Sequence, residues 1–294
     1  MLKRALLICA AGLAMATALS AQAGRKVYIS VDMEGISGIS GDDQLNASGA
    51  EYGRSRTLMA RDANAAIRGA KAGGATTIVV NDSHGSMRNL RLEDLEPDAH
   101  LISHSFKRHG MVEGLDDTFD AVIFVGYHAK AGNPQGLFAH TGSGVVADVR
   151  VNGQSLGEGG LNSLVAGWYG VPVVLVTGDD VAVAEVKTVA TGARTVVSKR
   201  AINQRAVELR PLATVYQEIE AAARAGVAGA TRGTPARKGP YRVEVQLRSP
   251  NIPQVAEVVP GLQRTAPDTL AFASDTMPQA YALIRFLYRY VNPD

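Results

Sequence analysis

The sequence predicts an α/β protein: a three-layer core around a largely parallel sheet, followed by a smaller C-terminal α+β lobe. Three observations carry this. Short apolar, β-rich runs recur and each ends in a polar or acidic turn; segments with helical spacing of small and apolar residues alternate with them; and beyond about Leu209 the pattern shifts to one that includes strict apolar–polar alternation.

Lys26-Val27-Tyr28-Ile29-Ser30-Val31 reads as a buried strand that runs into Asp32-Met33-Glu34-Gly35. The segment Ile36 to Asn46 is rich in Gly, Ser and Asp and reads as an active-site loop. From Tyr52 to Ala72, residues Leu58, Met59, Ala63, Ala66, Ile67 and Ala70 recur near helical spacing, and Gly73-Gly74 supplies the stop before a strand at Thr76. These make a βαβ unit. Leu101-Ile102, Ala121 to Val125 and Val171 to Thr177 are further strands, with helices over Leu161 to Trp168 and Val181 to Val189. Pro211 to Ala230 reads as a helix, Thr231 to Pro240 as a Gly/Pro/Arg-rich linker, Tyr241 to Leu247 as a half-exposed strand and Met277 to Tyr290 as the last helix. The catalytic α/β domain is accordingly placed at residues 24–195 and the smaller lobe at residues 196–294.

With 46% hydrophobic and 20% charged residues in 294, the chain can bury a substantial core. Residues 1–23 are set apart from it. Lys3-Arg4, the apolar stretch Ala5 to Leu19 and the small-residue site Ala21-Gln22-Ala23 have the layout of a signal peptide cleaved before Gly24, which predicts a periplasmic or secreted protein with no stable membrane anchor. Removing that segment leaves 28 basic and 28 acidic residues, so the electrostatic footprint of a nucleic-acid binder is lacking, and Lys199-Arg200 and Arg237-Lys238 read as solvated surface. The only cysteine, Cys9, falls inside that segment, which excludes disulfides, thiolate ligands and a cysteine nucleophile downstream.

The polar turns are where chemistry concentrates. Asp32 and Glu34 are two apart, so an extended backbone sends both carboxylates to one side, where they repel unless a cation lies between them. Thr76 to Val80 runs into Asn81-Asp82-Ser83-His84, Ala121 to Val125 runs into Gly126-Tyr127-His128, and Leu156-Gly157-Glu158-Gly159-Gly160 places a lone acid before an apolar helix. Asp32, Glu34, His84, His128 and Glu158 are therefore five potential ligands, and in open α/β sheets ligands sit where strands end.

Several motifs in order, Ser30 to Gly38, Asn81 to His84, Met111-Val112-Glu113-Gly114-Leu115-Asp116-Asp117, Gly126-Tyr127-His128-Ala129 and Gly178-Asp179-Asp180, resemble those of the D-aminopeptidase family. The resemblance implies a binuclear zinc peptidase that releases N-terminal D-residues from short peptides, D-alanine above all. It implies that Asp32 bridges two zinc ions, that Glu34 and His84 complete one site, and that His128 and Glu158 complete the other. It also implies a homo-oligomer, a ring of ten subunits, and a catalytic role for His140 in Phe138-Ala139-His140-Thr141 as general acid/base or nucleophile. Carboxylate and imidazole ligands without thiolate suit hydrolytic zinc, and the same set accepts manganese, cobalt or iron.

The same ligands would serve a metal-dependent amidase or esterase, an L-specific peptidase, or a periplasmic binding protein that keeps the metal and lacks the chemistry. His100, His104 and His109 read as solvated surface. Gly142 to Ala147 fits a dinucleotide pattern on paper but lacks the preceding strand and following helix, and no Gly-x-Ser-x-Gly elbow supports Ser83 as a nucleophile. Asp82 either orients a ligating histidine or caps a turn, and Asp179 and Asp180 either orient substrate or cap the next helix.

Overall fold

The computed structural model describes residues 24–291, so the signal peptide expected at residues 1–23 lies outside the described residues. The chain runs β1 (Arg25–Val31), α1 (Tyr52–Ala72), β2 (Ala75–Asp82), β3 (Ala99–Ile102), β4 (Ala121–Tyr127), β5 (Val146–Val151), β6 (Gln154–Ser155), α2 (Glu158–Trp168) and β7 (Val173–Asp179). It continues through α3 (Asp180–Lys187), β8 (Arg194–Ala201), β9 (Val207–Leu209), α4 (Leu212–Ala228), β10 (Tyr241–Leu247), α5 (Asn251–Ala256), β11 (Gln263–Ala266), β12 (Thr269–Ser274) and α6 (Met277–Arg289).

Seven strands form the main sheet in the order β3-β2-β1-β4-β7-β8-β9. All neighbours in it are parallel except the edge pair β8 and β9. Parallel strands are covered on both faces, which is why β1, β4 and β7 are apolar almost without interruption. Val27, Ile29 and Val31 face the layer made by α1 and α4, whereas Tyr28, Val122 and Phe124 face α2, α6 and a second sheet. That second sheet is antiparallel, in the order β11-β12-β10-β5-β6.

Helices α1 and α4 approach closely because Gly69 leaves room. A Cβ there would meet the Glu220 carbonyl oxygen at 2.2 Å and the Ala223 Cβ at 2.7 Å. Gly69→Ala is therefore expected to destabilise by about 1–3 kcal/mol through overpacking, against the roughly 1 kcal/mol that alanine gains in a free helix. A thermal melt decides between them: a lower Tm is expected, and an unchanged or higher Tm contradicts this packing.

Two expectations need correction. The units do not divide at residue 195: β8, β9 and α4 belong to the main sheet and its helical layer, while β5 and β6 leave the first half of the chain to join the second sheet. The reason is pairing, since the edge of β10 is completed by β5 with Val243 opposite Val151. Lys199 is not solvated surface either. It is fully buried, and its ammonium donates to the carbonyl oxygens of Glu34 and Ile39, both at 2.7 Å.

Candidate metal centre

The chain steps from β1 outward to β2 and β3, then returns to lay β4 on the other side of β1. This reversal opens a crevice at the carboxyl ends of β1 and β4, the switch point where open sheets bind ligands. Asp32 follows β1, His84 follows β2, and His128 follows β4; Glu158 opens α2 beneath them. The loop after β1 is pressed onto β4: the Gly35 amide donates to the Gly126 carbonyl at 2.8 Å, and a Cβ on Gly35 would meet the Tyr127 carbonyl oxygen at 2.0 Å. From the other flank Ser198 donates to the Gly35 carbonyl, beside the Lys199 bonds already described.

All five predicted residues are buried and converge. His84 Nδ1 lies 2.9 Å from Glu34 Oε2 and 3.5 Å from Asp32 Oδ1. His128 Nε2 lies 3.4 Å from Asp32 Oδ2 and 3.2 Å from Glu158 Oε2. The ligand atoms of Asp32, Glu34 and His84 lie within 4.8 Å of one another, as do those of Asp32, His128 and Glu158, so Asp32 is common to both groups.

The far side of each imidazole is fixed by a carbonyl, which only accepts. His84 Nε2 donates to Leu45 O at 2.8 Å and His128 Nδ1 donates to Ala129 O at 2.9 Å. The near nitrogens, Nδ1 of His84 and Nε2 of His128, thus point at carboxylates. This is the arrangement that fixes a metal-binding histidine in its ligating tautomer.

Charge balance makes the same point. Burial, then the charge of Glu34, pushes the Asp32 carboxyl well above the usual range. Burial would also raise Glu34 and Glu158, but His84 holds the first well below its ordinary value and His128 lowers the second. Burial pushes both imidazoles down, yet Glu34 beside His84 and Glu158 beside His128 hold each well above its normal value. Three buried carboxylates facing two imidazoles thus need extra positive charge. Asp32 Oδ2 and His128 Nε2 have no hydrogen-bond partner although both are buried, an expensive state for facing polar atoms unless a cation joins them. The residues fit a divalent metal with N and O ligands.

His140 sits at the wall of this cluster. Its ring stacks on His128 with centroids 4.1 Å apart, and its Nε2 is 4.0 Å from Glu34 Oε1 and 3.8 Å from Glu158 Oε1. Nδ1 donates to Phe138 O at 2.8 Å, so Nε2 is the nitrogen presented to the cleft. The cleft is lined by Asp32, Glu34, His84, His140 and Glu158, and also by Arg285 from α6.

Asp82 accepts from the Asn89 and Leu90 amides and from the Asn89 side chain, which itself donates to the His84 carbonyl. It shapes the loop that carries His84 without touching the ring. Asp179 caps α3 through the amides of Val181 and Ala182, and Asp180 accepts from the Ala201 amide. Met111 lines the cleft. His100 and His104 are exposed, and neither they nor His109 belong to a metal-holding group among the described residues. Sequence reasoning missed Lys199, Ser198, Asn89 and Arg285. For Lys199 the signal was the strand-like run Thr195-Val196-Val197, and for Arg285 it was a place on the apolar stripe of Tyr281, Ile284 and Tyr288.

A sequence model described as D-aminopeptidase matches residues 25–286. A D-aminopeptidase from Bacillus subtilis (strain 168) is 37% identical over 259 residues, covering 87% of this chain and 94% of that protein. Among solved structures, the Zn-dependent D-aminopeptidase DppA from Bacillus subtilis, described as a self-compartmentalizing protease, superposes with a TM-score of 0.84 at 36% identity, covering 90% of this chain and 97% of the other.

Proposed function

The chain belongs to the D-aminopeptidase family, and on that premise we propose that it is a zinc-dependent aminopeptidase for short peptides that begin with a D-residue of the D-alanine type. Two zinc ions per chain are proposed, one held by Asp32, Glu34 and His84 and the other by Asp32, His128 and Glu158. The observation that carries this reading is the facing pair Asp32 Oδ2 and His128 Nε2, buried and unpartnered amid three carboxylates. When bound, zinc lowers the pKa of water and polarises the scissile carbonyl.

The chain's own groups do the rest. Asp32, Glu34 and Glu158 would offset most of the charge that two divalent ions bring, so that the free amino end of a substrate can be received at the cluster. His140, held by Phe138 O, takes a proton at Nε2 as water attacks and returns it from that atom to the leaving amine. Its partial burial beside the cluster leaves it within reach of the cleft rather than inside the ligand set.

The relative described as self-compartmentalizing supports assembly of this chain into a homo-oligomer, and a decameric ring is the form proposed. The export segment supports a periplasmic or secreted location, where D-alanine-bearing fragments arise. Stereochemistry is the test. With paired D-Ala and L-Ala dipeptides, kcat/KM is expected to favour the D-forms by at least about 100-fold, the discrimination a site built on specific polar contacts attains. Faster turnover of the L-forms overturns the reading.

A further inference from the structure

Arg285 is a buried cation without an anion. It lies on α6, is 3% exposed, and donates from Nε to the Lys107 carbonyl at 2.9 Å. Its Nη2 is buried with no hydrogen-bond partner, and no carboxylate forms a salt bridge with it among the described residues. Its neighbours do not offset its charge: Lys107 is a second cation beside it, and the phenols of Tyr281, Tyr288 and Tyr290 are neutral groups, Tyr288 being close enough to hydrogen-bond the guanidinium. A guanidinium stays charged at any ordinary pH, and a buried one without a partner is costly. The chain nonetheless makes space for it. Gly110 has φ +47°, and a Cβ there would meet Arg285 Nη1 at 2.8 Å.

The same cleft that holds the acidic cluster is lined by Arg285, and the exposed Arg289 stands on it one helical turn further along α6. Met87 and Met111 add apolar lining to the same cleft. The cleft therefore offers two distinct binding ends, the metal-holding cluster and a cationic end at α6. A short peptide with free termini presents matching groups, an amino end for the metal-holding cluster and a carboxylate for the guanidinium. A carboxylate accepting from a guanidinium fork also supplies the partner that Nη2 lacks.

We infer that Arg285 binds the C-terminal carboxylate of the substrate, so that the enzyme selects the shortest free-acid peptides, whose two ends span the cleft. This rests on the aminopeptidase reading and adds to it a determinant of length and terminus. Arg285 is a specificity residue here, remote from the scissile bond.

The test compares D-Ala-D-Ala with its C-terminal amide on the zinc-loaded protein. The free acid is expected to have a kcat/KM about 10- to 100-fold above the amide, the range of a buried charge-assisted pair. Arg285→Met should lower the acid by a similar factor, mainly through KM, while the amide changes less than about threefold; Arg285→Lys should recover part of the difference. A wild type that cleaves amide and acid equally overturns the inference, and so does an Arg285→Met that loses both substrates together. Should Arg285→Met not fold, the wild-type ratio and its decrease in Arg285→Lys decide the matter. Turnover of neither peptide by the wild type overturns the aminopeptidase reading itself, a result distinct from equal turnover of both.

Discussion

Asp32→Asn is expected to empty both metal positions and lower kcat by at least about 1,000-fold, because one side chain serves the two ligand groups. The substitution is nearly isosteric, and the amide oxygen can still accept from the Met33 amide as Oδ1 does at 2.9 Å. What disappears is the charge. Without it, His84 and His128 each lose a carboxylate neighbour, 3.5 Å and 3.4 Å away respectively, and each remaining group is one ligand short. Zinc per chain should fall from about two to well under one, with far-UV circular dichroism unchanged. A variant that keeps both zinc ions and its activity would show that Asp32 is not shared.

His140→Ala is expected to separate catalysis from metal binding. Its ring lies against His128 and near two carboxylates, but its Nε2 contacts are 3.8 Å and 4.0 Å, longer than those of His84 and His128, and its side chain is 28% exposed. Removing a general acid/base lowers rate by about 100- to 10,000-fold. Zinc content should remain near two per chain, and kcat should fall while KM changes little, the signature of an interaction made in the transition state. Zinc lost together with activity would instead make His140 a ligand, since Glu34, His128 and His140 also form a group that could hold a metal. Unchanged kcat would remove it from the chemistry.

Much of this arrangement could be read from local sequence because it is built from local sequence. The centre of the sheet is parallel and covered on both faces, so β1 and β4 announce themselves as apolar runs, and the functional residues follow at their carboxyl ends. The helix Tyr52–Ala72 was equally plain, with small residues on the face that meets α4 and glycines at its end. The second sheet was not plain. β5 is six residues long and becomes a strand by pairing with β10, whose Val243 lies opposite Val151 across a long stretch of chain. β8 was hidden by its charges, because Lys199 reads as a surface residue until the carbonyls of Glu34 and Ile39 and the nearby Asp179 and Asp62 are brought round it.

Lys199 shows how costly that placement is. Burial pushes its ammonium down to about 7, against the opposing charges of Asp179, Asp62 and Glu34. Its function in the fold is to hold the loop that carries Glu34; the run Thr195-Val196-Val197 signals a strand beside it, but the carbonyls it binds lie far away in the chain. The same limit applies to Arg285, which is contributed by the last helix to a cleft whose other residues lie between Asp32 and Glu158, apart from its helical neighbours Tyr288 and Arg289.

The central claim is that two metal ions held by Asp32, Glu34, His84, His128 and Glu158 support hydrolysis. The most direct measurement is zinc per chain in the purified protein, paired with D-Ala-D-Ala hydrolysis before chelation, after chelation and after zinc is restored. About two equivalents of zinc, activity lost on chelation and activity recovered on reloading are the expected results. Hydrolysis that survives complete removal of metal, or a protein that binds no zinc and stays inactive when zinc is supplied, would contradict it.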